Sequence, residues 1–230
     1  MTDPTQHVRA CQEAVRERGY GVLPGVVSPD ECARALDLVR EWEQRTAELE
    51  LEGLPHLATD SPIIWNLHFK DRDFVDLVLG SEAVEQVLVH FLNDPWYKGL
   101  AADEPNYILR ALVARSSVDA LPLHIDSFVP YEGDTVISMQ AAFSLEGMTE
   151  ANGATLVVPG SHRSGRYFDP ATDAADVVPV VADPGDVVFW DSRIWHGAGP
   201  NRAGRTRWTL TATFTRWWIK QAFRLSLIHI

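Results

Sequence analysis

Cysteine is nearly missing from the chain: Cys11 and Cys32 are its only two among 230 residues. Both lie in segments of helical spacing and have no second pair, which excludes a disulfide framework and a cysteine-based zinc site and fits reduced thiols. No apolar run approaches the ~20 residues that a bilayer-spanning helix needs, so a membrane partner is not expected. The opening Met1-Thr2-Asp3-Pro4-Thr5 has neither a basic nor an apolar signal region, which makes the cytoplasm the expected location. Basic side chains are outnumbered, 20 against 32 acidic ones, and the formal net charge is −12. Such a surface repels phosphates, so nucleic acid is not an expected partner and a polyanionic substrate such as a CoA thioester is mildly disfavoured, although a local basic patch overrides the global field.

Tryptophan, in contrast, is plentiful at 8 residues, with 14 Pro and 15 Gly dividing the chain. The first third has helical spacing. Val8, Cys11 and Val15 recur in one such segment before Gly19 ends it. Ser28-Pro29-Asp30-Glu31 is a helix start with a capping box, followed by a helix to about Glu48. Leu49 to Ser61 reads as a loop, Ile63 to Leu67 as a strand, and Asp71 to Leu79 and Ser81 to Phe91 as two further helices around Gly80.

Beyond Asn106 the period becomes that of strands: Tyr107 to Ala114, Leu121 to Asp126, Thr135 to Leu145, Ala154 to Val158, Val177 to Val181, Asp186 to Trp190 and Thr206 to Trp218. Helices followed by antiparallel strands predict a mainly β fold with helices (α+β), a double-sheet jelly roll whose N-terminal helices pack on one sheet. One domain over residues 1–230 is expected. Arg224 to Ile230 follow none of these patterns and read as a truncated or artificial end.

Chemistry gathers at Leu121-Pro122-Leu123-His124-Ile125-Asp126. Residues two apart on a strand share a face, so His124 and Asp126 would point into one pocket. His196, after the apolar run Asp186 to Trp190, is placed to supply a third ligand. Two imidazoles and a carboxylate cover one face of an octahedron and leave three positions open, the arrangement of non-haem Fe(II) oxygenases. His-x-Asp alone is a weak signal, because it recurs by chance. His162 follows a Pro-Gly turn and reads as a turn residue, and Asn201 as an Asx-type turn that aims the strands bearing His196 and Arg207. Trp65, Asn66, Phe128 and Trp195 are candidate pocket-lining residues for which plain packing is the competing reading.

The segment Glu150-Ala151-Asn152-Gly153, the stretch Val158-Pro159-Gly160-Ser161-His162 and the later His196-Gly197-Ala198-Gly199-Pro200-Asn201 together resemble the phytanoyl-CoA dioxygenase family of Fe(II)- and 2-oxoglutarate-dependent oxygenases. Gly19-Tyr20-Gly21-Val22-Leu23 and the helix after Ser28-Pro29 are similar to the family's beginning. The resemblance runs from about residue 12 to about residue 218. It implies a double-stranded β-helix (cupin-like jelly roll), with His124, Asp126 and His196 binding Fe(II), and an arginine eleven residues after the distal histidine, Arg207. It further implies 2-oxoglutarate and O2 as co-substrates, release of succinate and CO2, and oxidation of a small-molecule substrate.

The far carboxylate of a chelated 2-oxoglutarate needs a bidentate cation, which independently favours arginine. Arg205 has the same strand phase and is the rival. Thr209 shares the face of Arg207 and could donate a hydroxyl to the same carboxylate. Gln140 alternates onto a face where a buried amide needs a partner, either the co-substrate or the protein itself. Ala142 and Ala198 depart from members that carry Trp and Ser there. Asp126 fills the position that related halogenases leave for a halide, so hydroxylation of an unactivated C–H is the implied outcome. Two other readings stand beside it: a metal- or ligand-binding jelly roll without turnover, and a zinc hydrolase, which lacks an evident general base.

Overall fold

The computed structural model describes residues 4–48, 63–101, 103–117, 119–173 and 176–219. The loop expected over Leu49 to Ser61 and the stretch Arg224 to Ile230 lie outside the described residues. Helices α1 (Pro4–Arg18), α2 (Pro29–Glu48), α3 (Arg72–Leu79) and α4 (Glu82–Leu92) come first, with strands β1 (Tyr20–Leu23) and β2 (Ile63–Ile64) among them. Then follow β3 (Tyr107–Ser117), β4 (Leu121–His124), β5 (Ser138–Ser144), β6 (Thr155–Val157), β7 (Val178–Val180), β8 (Val187–Asp191), β9 (His196–Ala198) and β10 (Arg207–Arg216). No helix among the described residues is long and apolar enough to cross a membrane.

Helix starts are chemically marked. At α2 the backbone N–H of Ser28 donates to the Glu31 carboxylate (2.9 Å) while the N–H of Glu31 donates back to Ser28 Oγ (3.3 Å), a reciprocal capping box. Asp71 caps α3 by accepting from the N–H of Asp73, and Ser81 caps α4 by accepting from that of Val84.

The strands form two antiparallel sheets, one of six in the order β1-β8-β5-β10-β3-β2 and one of four in the order β4-β9-β6-β7. This is the jelly roll with helices on one sheet that the element order predicts. Val8, Cys11 and Val15 of α1, Val39 of α2, Phe74 of α3 and Leu88 of α4 pack with Phe143, Leu210, Ala212 and Phe214 on the outer face of the large sheet. A smaller cluster, including Met148, Val157, Val188, Trp190 and Ile194, lies between the sheets. Alternation decides this division, because each strand of the large sheet sends every second side chain to the helices and the rest inward.

Two expectations from the sequence are corrected. Ile63 to Leu67 is not one strand: β2 has two residues, and Asn66 in the left-handed region (φ 60°) turns the chain into a short 3₁₀ helix, Leu67–Phe69. Strand β4 ends at His124, so Asp126 is not a strand residue. His196, expected on a strand, opens β9, a three-residue strand too short for periodicity to delimit.

Candidate active site

The two histidines are brought together by strand pairing. His124 at the end of β4 is the direct partner of His196 at the start of β9. Their rings lie 4.2 Å apart, centroid to centroid. Close approach of β9 to β4 depends on Gly197, because a Cβ at that position would sit 2.3 Å from the carbonyl oxygen of Leu121. Asp126 arrives by a different route. Its backbone N–H donates to the carbonyl of Ser192 in the turn between β8 and β9 (2.8 Å), and the N–H of Ser127 does the same (2.9 Å). The carboxylate therefore faces the histidines because a turn of the chain holds its backbone, not because of strand alternation.

Asp126 Oδ2 lies 3.2 Å from His196 Nε2, and Oδ1 lies 3.6 Å from His124 Nε2. One donor atom from each of the three residues falls within 4.8 Å of the other two. Nδ1 of His124 is 2.9 Å from the carbonyl oxygen of Pro122, and Nδ1 of His196 is 3.1 Å from that of Ile194. Each Nδ1 thus carries the proton and donates, which leaves both Nε2 atoms as lone-pair donors turned to the same point; metal-binding histidines are held in this way. Burial alone would raise the Asp126 carboxyl. When a proton in place of a metal ion occupies Nε2, the His196 charge and hydrogen bonds from both imidazoles outweigh it and hold Asp126 well below the usual carboxylate range. For His124 burial acts downward, but the Asp126 hydrogen bond and charge raise it overall. Trp190 Nε1 also donates to Asp126 Oδ2 (3.4 Å). Two imidazoles and an ionised carboxylate converging on one point suit a divalent first-row metal ion.

Asp126, His196, Arg207, Thr209, Thr211 and Trp190 line one cleft with a volume of about 100 Å³. His124 does not line it, but its Nε2 lies 3.6 Å from the Asp126 carboxylate that does. Arg207, at the first position of β10, is 7% exposed. Its Nη2 donates to the carbonyl of Gly153 (2.7 Å), its Nε to that of Asn152 (3.3 Å), and its Nη1 to Thr209 Oγ1. Three fixed hydrogen bonds orient the guanidinium and leave further N–H groups for a ligand. Burial pushes Arg207 down to about 10, with Glu146 opposing, so it stays cationic at neutral pH. Arg205 lies elsewhere: its side chain is 68% exposed and pairs with Glu146 at the surface (3.5 Å).

Gln140 is buried in β5 but is not part of the cleft wall. Its Oε1 accepts from Thr213 Oγ1 (2.7 Å) and its Nε2 donates to Ser192 Oγ (3.4 Å), so the protein itself satisfies the amide. Trp195 is packed, donating Nε1 to the carbonyl of Arg166, and Phe128 is 69% exposed with φ 62°. Neither they nor Trp65 and Asn66 line the cleft. Asn201 makes the expected turn: Oδ1 accepts from the N–H of Ala203, and Nδ2 donates to the carbonyls of Ser117 and Arg205, tying β3 to the β10 entrance.

The turn motifs acquire roles from these contacts. Asn152-Gly153 supplies the two carbonyls that hold Arg207. Ser161 of the Pro-Gly-Ser-His stretch accepts from the N–H of Trp195 (2.8 Å) and so fixes the backbone just before His196, while His162 is buried with Nε2 against the carbonyl of Arg16. Two cleft residues escaped sequence reasoning, Trp190 as a partner of Asp126, and Arg115. Both lie on inward faces that strand register could have marked.

Residues 15–209 match the model of the family described as phytanoyl-CoA dioxygenase. Dioxygenase af480 of Aspergillus fumigatus is 29% identical over 216 residues, which cover 87% of this chain and 64% of that protein. The chain thus spans less than two thirds of that relative's length. Among solved structures, the epimerase SnoN in complex with Fe3+, alpha ketoglutarate and nogalamycin RO superposes with a TM-score of 0.68 at 19% identity, over 93% of this chain and 85% of SnoN. HygX of Streptomyces hygroscopicus, with nickel and 2-oxoglutarate bound, gives 0.67 at 15% identity, over 93% and 88%. The fold is theirs, and with most of its length matched to the family model the chain belongs to the phytanoyl-CoA dioxygenase family.

Proposed function

We propose that this protein is an Fe(II)- and 2-oxoglutarate-dependent dioxygenase that hydroxylates an unactivated C–H of a small molecule. The observation that carries the reading is one cleft lined by Asp126 and His196 of a two-histidine, one-carboxylate set and by a fixed, inward arginine. His124, Asp126 and His196 would hold the iron. With 2-oxoglutarate and O2, iron in such a site supplies the oxidising power to remove hydrogen from carbon, with succinate and CO2 as by-products.

The chain's own residues do the positioning. Arg207 binds the far carboxylate of the keto acid through N–H groups not taken by Asn152, Gly153 and Thr209, and the Thr209 hydroxyl, already its partner, stands beside the same carboxylate. Trp190 anchors Asp126 Oδ2, which keeps the carboxylate aimed. Leu121, Ala142, Trp190 and Ala198 give the cleft apolar walls that keep water from the reacting carbon.

The reading is tested by anaerobic titration of the protein with Fe(II) and 2-oxoglutarate. A visible metal-to-ligand charge-transfer band is expected, and substrate-stimulated succinate release on admitting O2. A protein that binds the metal without the band, or forms the band yet releases no succinate with any substrate tried, would instead be a binding module. The departures at Ala142 and Ala198 are the observation that keeps this second reading open, since they lie on the cleft wall.

A further inference from the structure

Arg115 is a cationic group in the cleft for which the proposed reaction has no use. It stands on β3 directly opposite Thr209 of β10, which places it on the inward face of the large sheet, and it lines the same cleft as Asp126, His196 and Arg207. Its guanidinium makes no hydrogen bond or ion pair among the described residues, and its one favourable electrostatic neighbour is Asp126. Other arginines removed wholly or partly from solvent are committed. Arg193 is bidentate to Asp191, with its shortest contact at 2.7 Å, and Arg216 donates to the carbonyls of Val136, Asn93 and Phe91. Asp119 lines the cleft at its exposed rim.

A half-buried guanidinium without a partner is costly to keep unless an anion completes it. The keto acid cannot be that anion without leaving another group idle, because its chelating end belongs to the metal set and its far end to Arg207. A second cation continues the edge: Arg110, earlier on β3, lies against the ring of Phe128 (5.5 Å), in the loop that follows Asp126. In a chain of net charge −12, these two arginines of one strand, neither in a salt bridge among the described residues, form a local basic patch that opposes the surrounding field.

We propose that Arg115 receives a carboxylate of the primary substrate, which makes the substrate class small organic acids whose apolar portion lies along Leu121, Trp190 and Ala198 toward the metal set. This rests on the oxygenase reading above and adds the charge of the substrate to it. The guanidinium fork matches a carboxylate bidentately, whereas an amide or ester of the same skeleton offers it only neutral acceptors.

The test uses the full chain loaded anaerobically with Fe(II) and 2-oxoglutarate, and matched probes: hexanoate and hexanamide, phenylacetate and phenylacetamide, N-acetylphenylalanine and its amide. Binding is read from the change in the charge-transfer band, and turnover from succinate release. At least one acid is expected to bind about tenfold tighter than its amide, a preference that Arg115→Gln removes and Arg115→Lys restores in part. Over the same variants the half-saturation for 2-oxoglutarate should move by less than about threefold, which a general structural defect would not permit. Acids and amides that bind alike, or no binding by any probe, overturn the proposal. So does an Arg115→Gln variant that loses 2-oxoglutarate as severely as the acid, since Arg115 would then serve the keto acid. Failure of the wild-type protein to give the charge-transfer band is a separate result, one that removes the oxygenase reading and this inference with it.

Discussion

Strand β10 shows two different materials on its two faces. One face carries Leu210, Ala212 and Phe214, each fully buried against the helices. The other carries Arg207, Thr209, Thr211 and Thr213, whose polar groups line the cleft or bond to neighbouring side chains. The outer face gains its stability from apolar area removed from water. The inner face gives up some of that gain to keep donors and a cation in fixed positions. Stability and chemistry are thus separated by less than the thickness of one sheet, and substitutions on the two faces should be separable by experiment.

The largest effect is expected on the inner side. Asp126→Ala removes the carboxylate from the ligand set, so iron-dependent succinate release should be abolished while the circular dichroism of the fold persists; near-wild-type turnover would contradict the assignment. On the outer side, Phe214→Ala should cost about 3–5 kcal/mol of unfolding free energy by leaving a cavity between sheet and helices, measured by denaturant titration. The folded fraction of that variant should retain 2-oxoglutarate affinity, and its loss would show the two faces to be coupled.

A sharper contrast comes from the two arginines. Arg207→Gln should raise the 2-oxoglutarate requirement about 10- to 100-fold, the worth of a charge-assisted hydrogen bond of roughly 1.5–3 kcal/mol. Arg205→Gln should change it little, because the exposed pair with Glu146 is worth at most about 1 kcal/mol. The reverse order would move the anchor to Arg205. The smallest effect belongs to the helical layer, where Ser81→Ala should cost about 1 kcal/mol by removing the cap of α4 and leave both kinetic constants unchanged.

Much of this organisation is legible in the chain. Helical spacing and the Ser28/Glu31 capping box mark α1 and α2, and alternation marks the longer strands, because these signals depend on residues within one or two turns of each other. His124, Asp126 and His196 stand out by residue type and by the turns around them. The sequence could not explain their convergence correctly. Strand phase alone puts His124 and Asp126 on one face, but the aspartate is held by the carbonyl of Ser192, 66 residues away, across a gap in β4 pairing. Arg205 and Arg207 have equal phase, and only the carbonyls of Asn152 and Gly153 separate them. Arg115 escapes notice because Arg115-Ser116-Ser117 has little strand character; pairing with Arg207, Trp208 and Thr209 of β10 extends β3 through it.

The amino-acid order by itself determined which segments are helices or long strands, which side chains can bind metal, and the sign of the surface charge. These follow from periodicity, side-chain chemistry and simple addition. Only the tertiary structure decided that His196 faces His124, which arginine enters the cleft, and that Gln140 bonds to its neighbours and stays off the cleft wall. Each of those outcomes is set by a backbone carbonyl or a neighbouring strand supplied from a distant part of the chain, and local pattern carries no record of which distant group that will be.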